Sequence, residues 1–141
     1  MTRILTIIAI LFATPIWADD EKAREELLAQ ADKLARCSAI FSIAAAINGR
    51  TGSPNVAKQN ENEARGAMFA SNYLAAQMGR SNFKVRTESI METVTTSWMA
   101  NMEISPNTFV QEFTPELSAC KENLVYQEAI LTMLRNEAYD Q

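Results

Sequence analysis

The stretch from Cys37 to Ile47 constrains the fold most, because none of its side chains is charged. A helix formed by this stretch is apolar on every side, so protein or lipid must surround it. The stretch is too short to span a bilayer, which takes about 20 residues. We therefore predict that it belongs to the central helix of a bundle, with a membrane location as the alternative.

A hydroxyl residue followed by proline marks three predicted helix starts, at Ser53-Pro54, Ser105-Pro106 and Thr114-Pro115. Proline suits the first helical position, and the hydroxyl can cap free amide groups. With glycines near two of the helix ends, the predicted helices cover residues 20–48, 54–78, 82–102, 106–112 and 115–137. No segment alternates like a strand. The predicted fold class is all-α, a bundle of four main helices plus a short connecting helix at residues 106–112.

Residues 1–18 have the pattern of a secretory signal peptide. Arg3 gives a positive start, an uncharged stretch follows, and the small residue Ala18 suits cleavage before Asp19. An uncleaved anchor is the alternative, but the uncharged stretch is shorter than a bilayer span. We predict that residues 19–141 form a single helical domain, periplasmic or secreted, without stable membrane insertion after cleavage.

Two cysteines, Cys37 and Cys120, are present in the chain. Disulfides persist in exported proteins, so we predict a structural bond between these two residues, joining the first and last helices. A redox or metal-binding thiol pair is the alternative. The long separation of the cysteines and their apolar surroundings, which make thiols unreactive, argue against it.

The chain contains no histidine, which excludes Ser-His-Asp and Cys-His catalysis and histidine metal ligands. Acid–base chemistry would then depend on carboxylates such as Glu88 and Glu92, which share one helix face. Met99 and Met102 could face a soft metal, although methionine commonly fills gaps in a core. No phosphate-, calcium- or dinucleotide-binding motif is found. We predict no cofactor, no metal and no enzymatic activity.

Net charge argues against a nucleic-acid partner. The chain has a formal charge of −4, and loss of Arg3 with the signal peptide makes it more negative. Nucleic acids and anionic membranes select a basic surface instead. A protein partner is therefore the leading hypothesis, with its identity and the oligomeric state left open.

Aromatic residues supply the candidate interface. We predict that Trp98 lies in the core, with an exposed anchor on the third helix as the alternative. The surplus of apolar residues suggests an exposed aromatic patch, which would mark a binding surface. For Phe69 and Tyr73 a place in the core stays open as well. The candidate interface residues are Phe69, Tyr73, Phe109 and Phe113.

These features favour an exported, non-enzymatic helical protein that acts through protein–protein interaction. An alternative is an acid-stress chaperone of the envelope, because the chain resembles the small acid-activated periplasmic chaperones in being short, helical, exported and singly disulfide-bonded. Its 17 acidic residues would lose their charge around pH 4, and the resulting net positive charge could open the bundle. An enzyme that uses carboxylates without histidine is a further alternative.

Overall fold

The computed structural model describes residues 21–79 and 81–139, and each regular element in these ranges is an α-helix. The helices are α1 (Glu21–Arg50), α2 (Pro54–Gln77), α3 (Phe83–Ile104), α4 (Pro106–Glu122) and α5 (Leu124–Tyr139). The predicted all-α bundle is confirmed, and α1 to α3 lie close to their predicted bounds. The predicted signal peptide, residues 1–18, lies outside the described residues.

α1 is the central helix, as its uncharged stretch predicts. It packs against α2, α3 and α4, while α5 packs mainly against α2. Between Cys37 and Ala45 only Ser42 is exposed. Because no charged side chain interrupts this stretch, three different helices can cover it.

Two serine hydroxyls hold α1 and α2 together as an antiparallel pair. Ser38 of α1 donates a hydrogen bond of 2.8 Å to the carbonyl of Ala64 in α2. Ser71 of α2 donates a hydrogen bond of the same length to the carbonyl of Ala31 in α1. The hydroxyl of Thr87 in α3 lies 3.2 Å from the hydroxyl of Ser71. Small side chains along both helices allow this close approach, and the bonds satisfy hydroxyl groups that would otherwise be buried without partners.

The core consists of two clusters of buried side chains. The disulfide cluster lies where α1 meets α3 and α4, and the α5 cluster lies where α5 covers α1 and α2. The disulfide cluster includes Cys37, Ile40, Ile43, Val94, Trp98, Phe109, Phe113 and Cys120. The α5 cluster contains Leu27, Ala31, Leu34, Ala70, Leu74, Ala75, Tyr126 and Ile130.

The predicted disulfide is confirmed. Cys37 of α1 is bonded to Cys120 of α4, with 5.4 Å between their Cα atoms. Nearby, the guanidinium of Arg36 donates to the carboxylate of Glu116 at 2.9 Å, a second link between the same helices. In the structure, the predicted last helix, 115–137, corresponds to the second half of α4 followed by α5.

The predicted helix start at Thr114-Pro115 is wrong, because α4 continues through Pro115 and ends only at Glu122. Proline inside a helix removes one backbone hydrogen bond. Here Phe113 is buried on one side of Pro115 and Cys120 is bonded to α1 on the other. Tertiary packing therefore holds both halves of α4 in line, and the helix is interrupted at Asn123 instead.

The other two hydroxyl–proline pairs do begin helices, but their hydroxyls do not cap them. Pro54 and Pro106 lie in the first turns of α2 and α4, and neither Ser53 nor Ser105 makes a side-chain capping bond. The hydroxyl of Ser105 instead donates to that of Thr108. The fixed φ of proline is the feature that these helix starts share.

Candidate functional site

An open groove lies between the last turns of α1 and the first half of α2. Its volume is about 580 Å³. It is lined by Ser42, Ala45, Ala46, Gly49, Ala57, Glu61, Ala64 and Arg65. Most of these side chains are small, so the two helices leave a depression that none of the larger side chains in residues 21–79 and 81–139 fills.

Two opposite charges line the groove on the side of α2. Glu61 and Arg65 are four residues apart and both are exposed. The guanidinium of Arg65 donates a hydrogen bond of 2.8 Å to the side-chain oxygen of Asn62. This leaves other N–H groups of Arg65 for further partners. The groove therefore combines an apolar floor with one negative and one positive side chain.

Phe69 lies one helical turn beyond Arg65 on α2, and its side chain is 53% exposed. Among the four candidate interface residues it is the most exposed. Phe69 therefore places a large apolar group one helical turn from the lining residue Arg65 of a groove that is formed mostly by small side chains. We call the groove and Phe69 together the α2 face.

Tyr73 follows Phe69 by one further turn but contacts α5. Its hydroxyl donates a hydrogen bond of 2.6 Å to the carboxylate of Glu137. Partial burial, helped by this bond and by the negative charge of Glu137, raises the pKa of Tyr73 to about 12. Tyr73 therefore helps to hold α5 on α2 and lies at the margin of the α2 face.

The structure places the candidate interface residues Phe109 and Phe113 in the core instead of on an exposed patch, because each side chain is only 5% exposed. Their rings stack on each other with centroids 4.9 Å apart. Both meet the ring of Trp98 edge to face, at 5.8 and 5.4 Å. The three rings fill the disulfide cluster, which also confirms that Trp98 is a core residue.

The four residues considered for catalysis or metal binding all lie on α3. Glu88 and Glu92 are both exposed and are not among the residues that line the groove, and Met99 and Met102 are half-buried. No group of three or more histidine, cysteine, aspartate or glutamate side chains suited to a metal ion occurs in residues 21–79 and 81–139.

Sequence reasoning missed the groove and the presence of Glu61 and Arg65 in its lining. Residues 58–63 look like an ordinary solvated helix surface in the sequence. The available signal was the run of small residues Ala45, Ala46 and Gly49 opposite Ala57 and Ala64. That pattern permits close packing of α1 on α2, and only the structure shows that a depression remains beside it.

Comparison with known proteins adds no relative. No protein-family model matches the chain, and no curated protein or solved structure is significantly similar to it. Within the described part of the chain, none of the helices has the length and apolar character needed to cross a membrane.

Proposed function

We propose that this chain is an exported, non-enzymatic helical protein that acts by binding another protein through the α2 face. The observation that carries the proposal is the half-exposed Phe69 beside an open groove of small residues on the same helix. Large aromatic side chains that fill pockets are the usual anchors of protein interfaces.

The surroundings of Phe69 distinguish it from other exposed apolar residues. Val85, Val110 and Val125 are each more than half exposed, but they lie on α3, α4 and α5, whereas Phe69 lies on α2, one of the two helices that form the groove. Single exposed apolar residues are normal on protein surfaces, whereas an aromatic residue next to a concavity provides both parts of a binding surface. The predicted signal peptide and the confirmed disulfide support a location outside the cytoplasm.

Site-specific photo-crosslinking tests this proposal. p-Benzoylphenylalanine is introduced at position 69 in the full chain, produced in its own cells, and irradiated before non-reducing electrophoresis. Position 110 is the matched control, because Val110 is 60% exposed but lies on α4, away from the groove. We expect one defined protein adduct from position 69 in near-stoichiometric yield, and none from position 110.

The absence of a defined adduct from position 69 contradicts the proposal, as does the same adduct from both positions. A second readout is binding by the Phe69→Ala variant. Because this side chain is half-exposed, we expect the variant to fold normally and to lose partner binding.

The acid-stress chaperone is a second candidate, supported by how the outer helices are attached. α3, α4 and α5 are each linked to α1 or α2 by a hydrogen bond that a carboxylate accepts. The three links are Arg86 to Asp32 at 2.7 Å, Arg36 to Glu116 at 2.9 Å and Tyr73 to Glu137 at 2.6 Å. Loss of these three links would release the outer helices from the pair α1 and α2, while the disulfide would still join α4 to α1.

Dye binding and light scattering at pH 3 test this candidate. A chaperone of this type binds a hydrophobic dye and suppresses aggregation of an acid-unfolded client at pH 3 but not at pH 7. A protein that stays monomeric, fully helical and dye-silent at pH 3 is not such a chaperone.

A further inference from the structure

The α2 face carries both halves of a self-complementary contact. Phe69 projects from α2 one turn after Arg65, and Ala57 forms part of the groove one turn before Glu61. The large side chain and the small one are therefore placed symmetrically about the pair of opposite charges. The centre of this arrangement is near residue 63.

We infer that the partner bound by the α2 face is a second copy of this chain, docked with its α2 antiparallel to the first. This inference rests on the proposed function and names the partner for the same surface. A two-fold axis near residue 63 places Glu61 of each copy opposite Arg65 of the other. Two equivalent ion pairs then form across one isologous interface.

The same register brings an aromatic residue to each groove. When Glu61 faces Arg65 of the second copy, Phe69 faces Ala57 of the second copy, where Ala46 and Gly49 line the groove. Small side chains at these positions leave room for a phenyl ring. One alignment therefore satisfies both the charges and the shapes, which is the reason for choosing a second copy over an unrelated protein.

The two kinds of contact have different roles. Exposed ion pairs contribute little net free energy but fix orientation and register. Burial of the two Phe69 rings supplies the apolar area that favours association. The contact is small, so we expect a weak dimer that is populated at about 100 µM.

Charge exchange followed by sedimentation equilibrium tests the register. In Glu61→Arg, positions 61 and 65 both carry arginine, so like positive charges face each other at both contacts of the dimer. In Arg65→Glu, both positions carry glutamate, so like negative charges face each other there. We expect each variant alone to be monomeric at concentrations where the unaltered protein dimerises. An equal mixture of the two variants restores opposite charges at both contacts, so we expect it to form a heterodimer. The double variant, with both exchanges, recovers the homodimer.

Two further variants test the shape. Phe69→Ala removes the ring and Ala46→Arg fills the groove, and each is expected to lower the association constant at least tenfold. Val110→Ala on α4 is the matched control and leaves association unchanged. Circular dichroism and thermal unfolding of every variant show whether the fold is retained.

The outcomes separate this inference from the proposed function. A protein that remains monomeric at about 100 µM overturns the second-copy inference. If position 69 then crosslinks a different protein, the proposed function stands with another partner, and if it crosslinks nothing, both fail. A dimer that persists in both single charge variants uses another surface, which also overturns the inference.

Discussion

Ser38 and Ser71 make the same contact in opposite directions across one helix pair. Each donates its hydroxyl hydrogen to a carbonyl of the facing helix at 2.8 Å. The two bonds are seven residues apart on both helices, so they lie on one face at a separation of about two turns. They fix the register of α1 against α2, and this register aligns the small residues that line the groove.

Replacement of either serine by alanine is expected to lower the free energy of unfolding by about 1 kcal/mol, the typical net value of a buried hydrogen bond. The double variant should lose about the sum, because the two sites share no partner. Ser42→Ala is the control, since that hydroxyl donates within its own helix to the carbonyl of Ser38. Urea unfolding measures all four variants, and a Ser42→Ala cost equal to that of Ser38→Ala contradicts the role given to Ser38.

Gly66→Ala tests the close approach of α5 to α2. A Cβ atom at Gly66 would collide with the side-chain amide of Gln127 and lie 3.2 Å from Leu131. Gln127 is buried and donates to the carbonyl of Glu63, so it cannot move away freely. We expect a loss of about 1–2 kcal/mol, although alanine is otherwise the better helix former.

Gly49→Ala is the matched control for Gly66→Ala. There a new Cβ atom meets only the Cβ of Ala57, at 3.9 Å, which is ordinary contact. We expect a gain of about 0.5–1 kcal/mol in the free energy of unfolding. Urea midpoints that move in the same direction for the two variants would show that α5 does not press against Gly66.

Removal of the disulfide is expected to destabilise the fold strongly. The bond closes a segment with a sequence separation of 83 residues. The chain-entropy model gives about 4.6 kcal/mol for a loop of this size, as an upper figure. Urea unfolding with and without reductant measures the effect, and the Cys37→Ala/Cys120→Ala variant should match the reduced protein. A loss below about 1 kcal/mol contradicts this prediction.

Tyr126 gives the protein an alkaline limit. Burial raises its pKa to about 12 from the ordinary 10.0, because the charged phenolate is disfavoured in the α5 cluster. Above the unfolded pKa the unfolded chain binds fewer protons than the folded one, so stability falls as pH rises from about 10 to 12. After allowance for partial solvent access the loss is about 1 kcal/mol.

Tyr126→Phe should reduce this alkaline decline but not abolish it, because the pKa of Tyr73 is raised as well. Tyr139→Phe, at an exposed position, should leave the decline unchanged. The hydroxyl of Tyr126 is buried and has no hydrogen-bond partner among the described residues, so its removal should not destabilise the protein at neutral pH. Thermal unfolding from pH 7 to pH 11 measures both effects. A neutral-pH loss above about 1 kcal/mol in Tyr126→Phe would reveal a partner for this hydroxyl.

The sequence predicts the fold well where burial follows helical spacing. Leu27, Leu34 and Phe41 recur every seven residues, which places them on one face of α1, and all three are buried. The pairing of Cys37 with Cys120 follows from the count of two cysteines together with the predicted export. In such cases the local sequence pattern and the tertiary contacts favour the same arrangement, so the pattern is sufficient to predict it.

The prediction fails where a distant contact overrides a local preference. Pro115 reads as a helix start, yet α4 passes through it, because Phe113 packs against Trp98 on one side and Cys120 is bonded to α1 on the other. Asn123, where the helix is interrupted, is only a weak signal for a helix end in the sequence. Nothing within a few residues of either position reports the packing that decides the outcome.

The candidate site shows the same limit. The pairs Phe69 with Tyr73 and Phe109 with Phe113 have identical spacing, so sequence reasoning treated them alike. Only the second pair meets Trp98, which lies on another helix. That contact depends on how α3 crosses α4, and helical periodicity within one segment cannot encode it.

The position of the disulfide divides the molecule into a covalent ring and two free arms. The ring runs from Cys37 to Cys120 and contains α2 and α3 entirely. The first half of α1 is one arm and α5 is the other. The arms meet on the second half of α2, where Leu34 and Ile130 are among the side chains packed together.

Only non-covalent contacts hold the two arms in place, namely packing and hydrogen bonds such as that of Tyr73 with Glu137, so opening fluctuations should concentrate there. Amide hydrogens of α5 and of the first turns of α1 are then expected to exchange with solvent as one unit, ahead of those inside the ring. The groove and Phe69 both lie within the ring. The α2 face can therefore keep its shape while the opposite end of the bundle opens and closes.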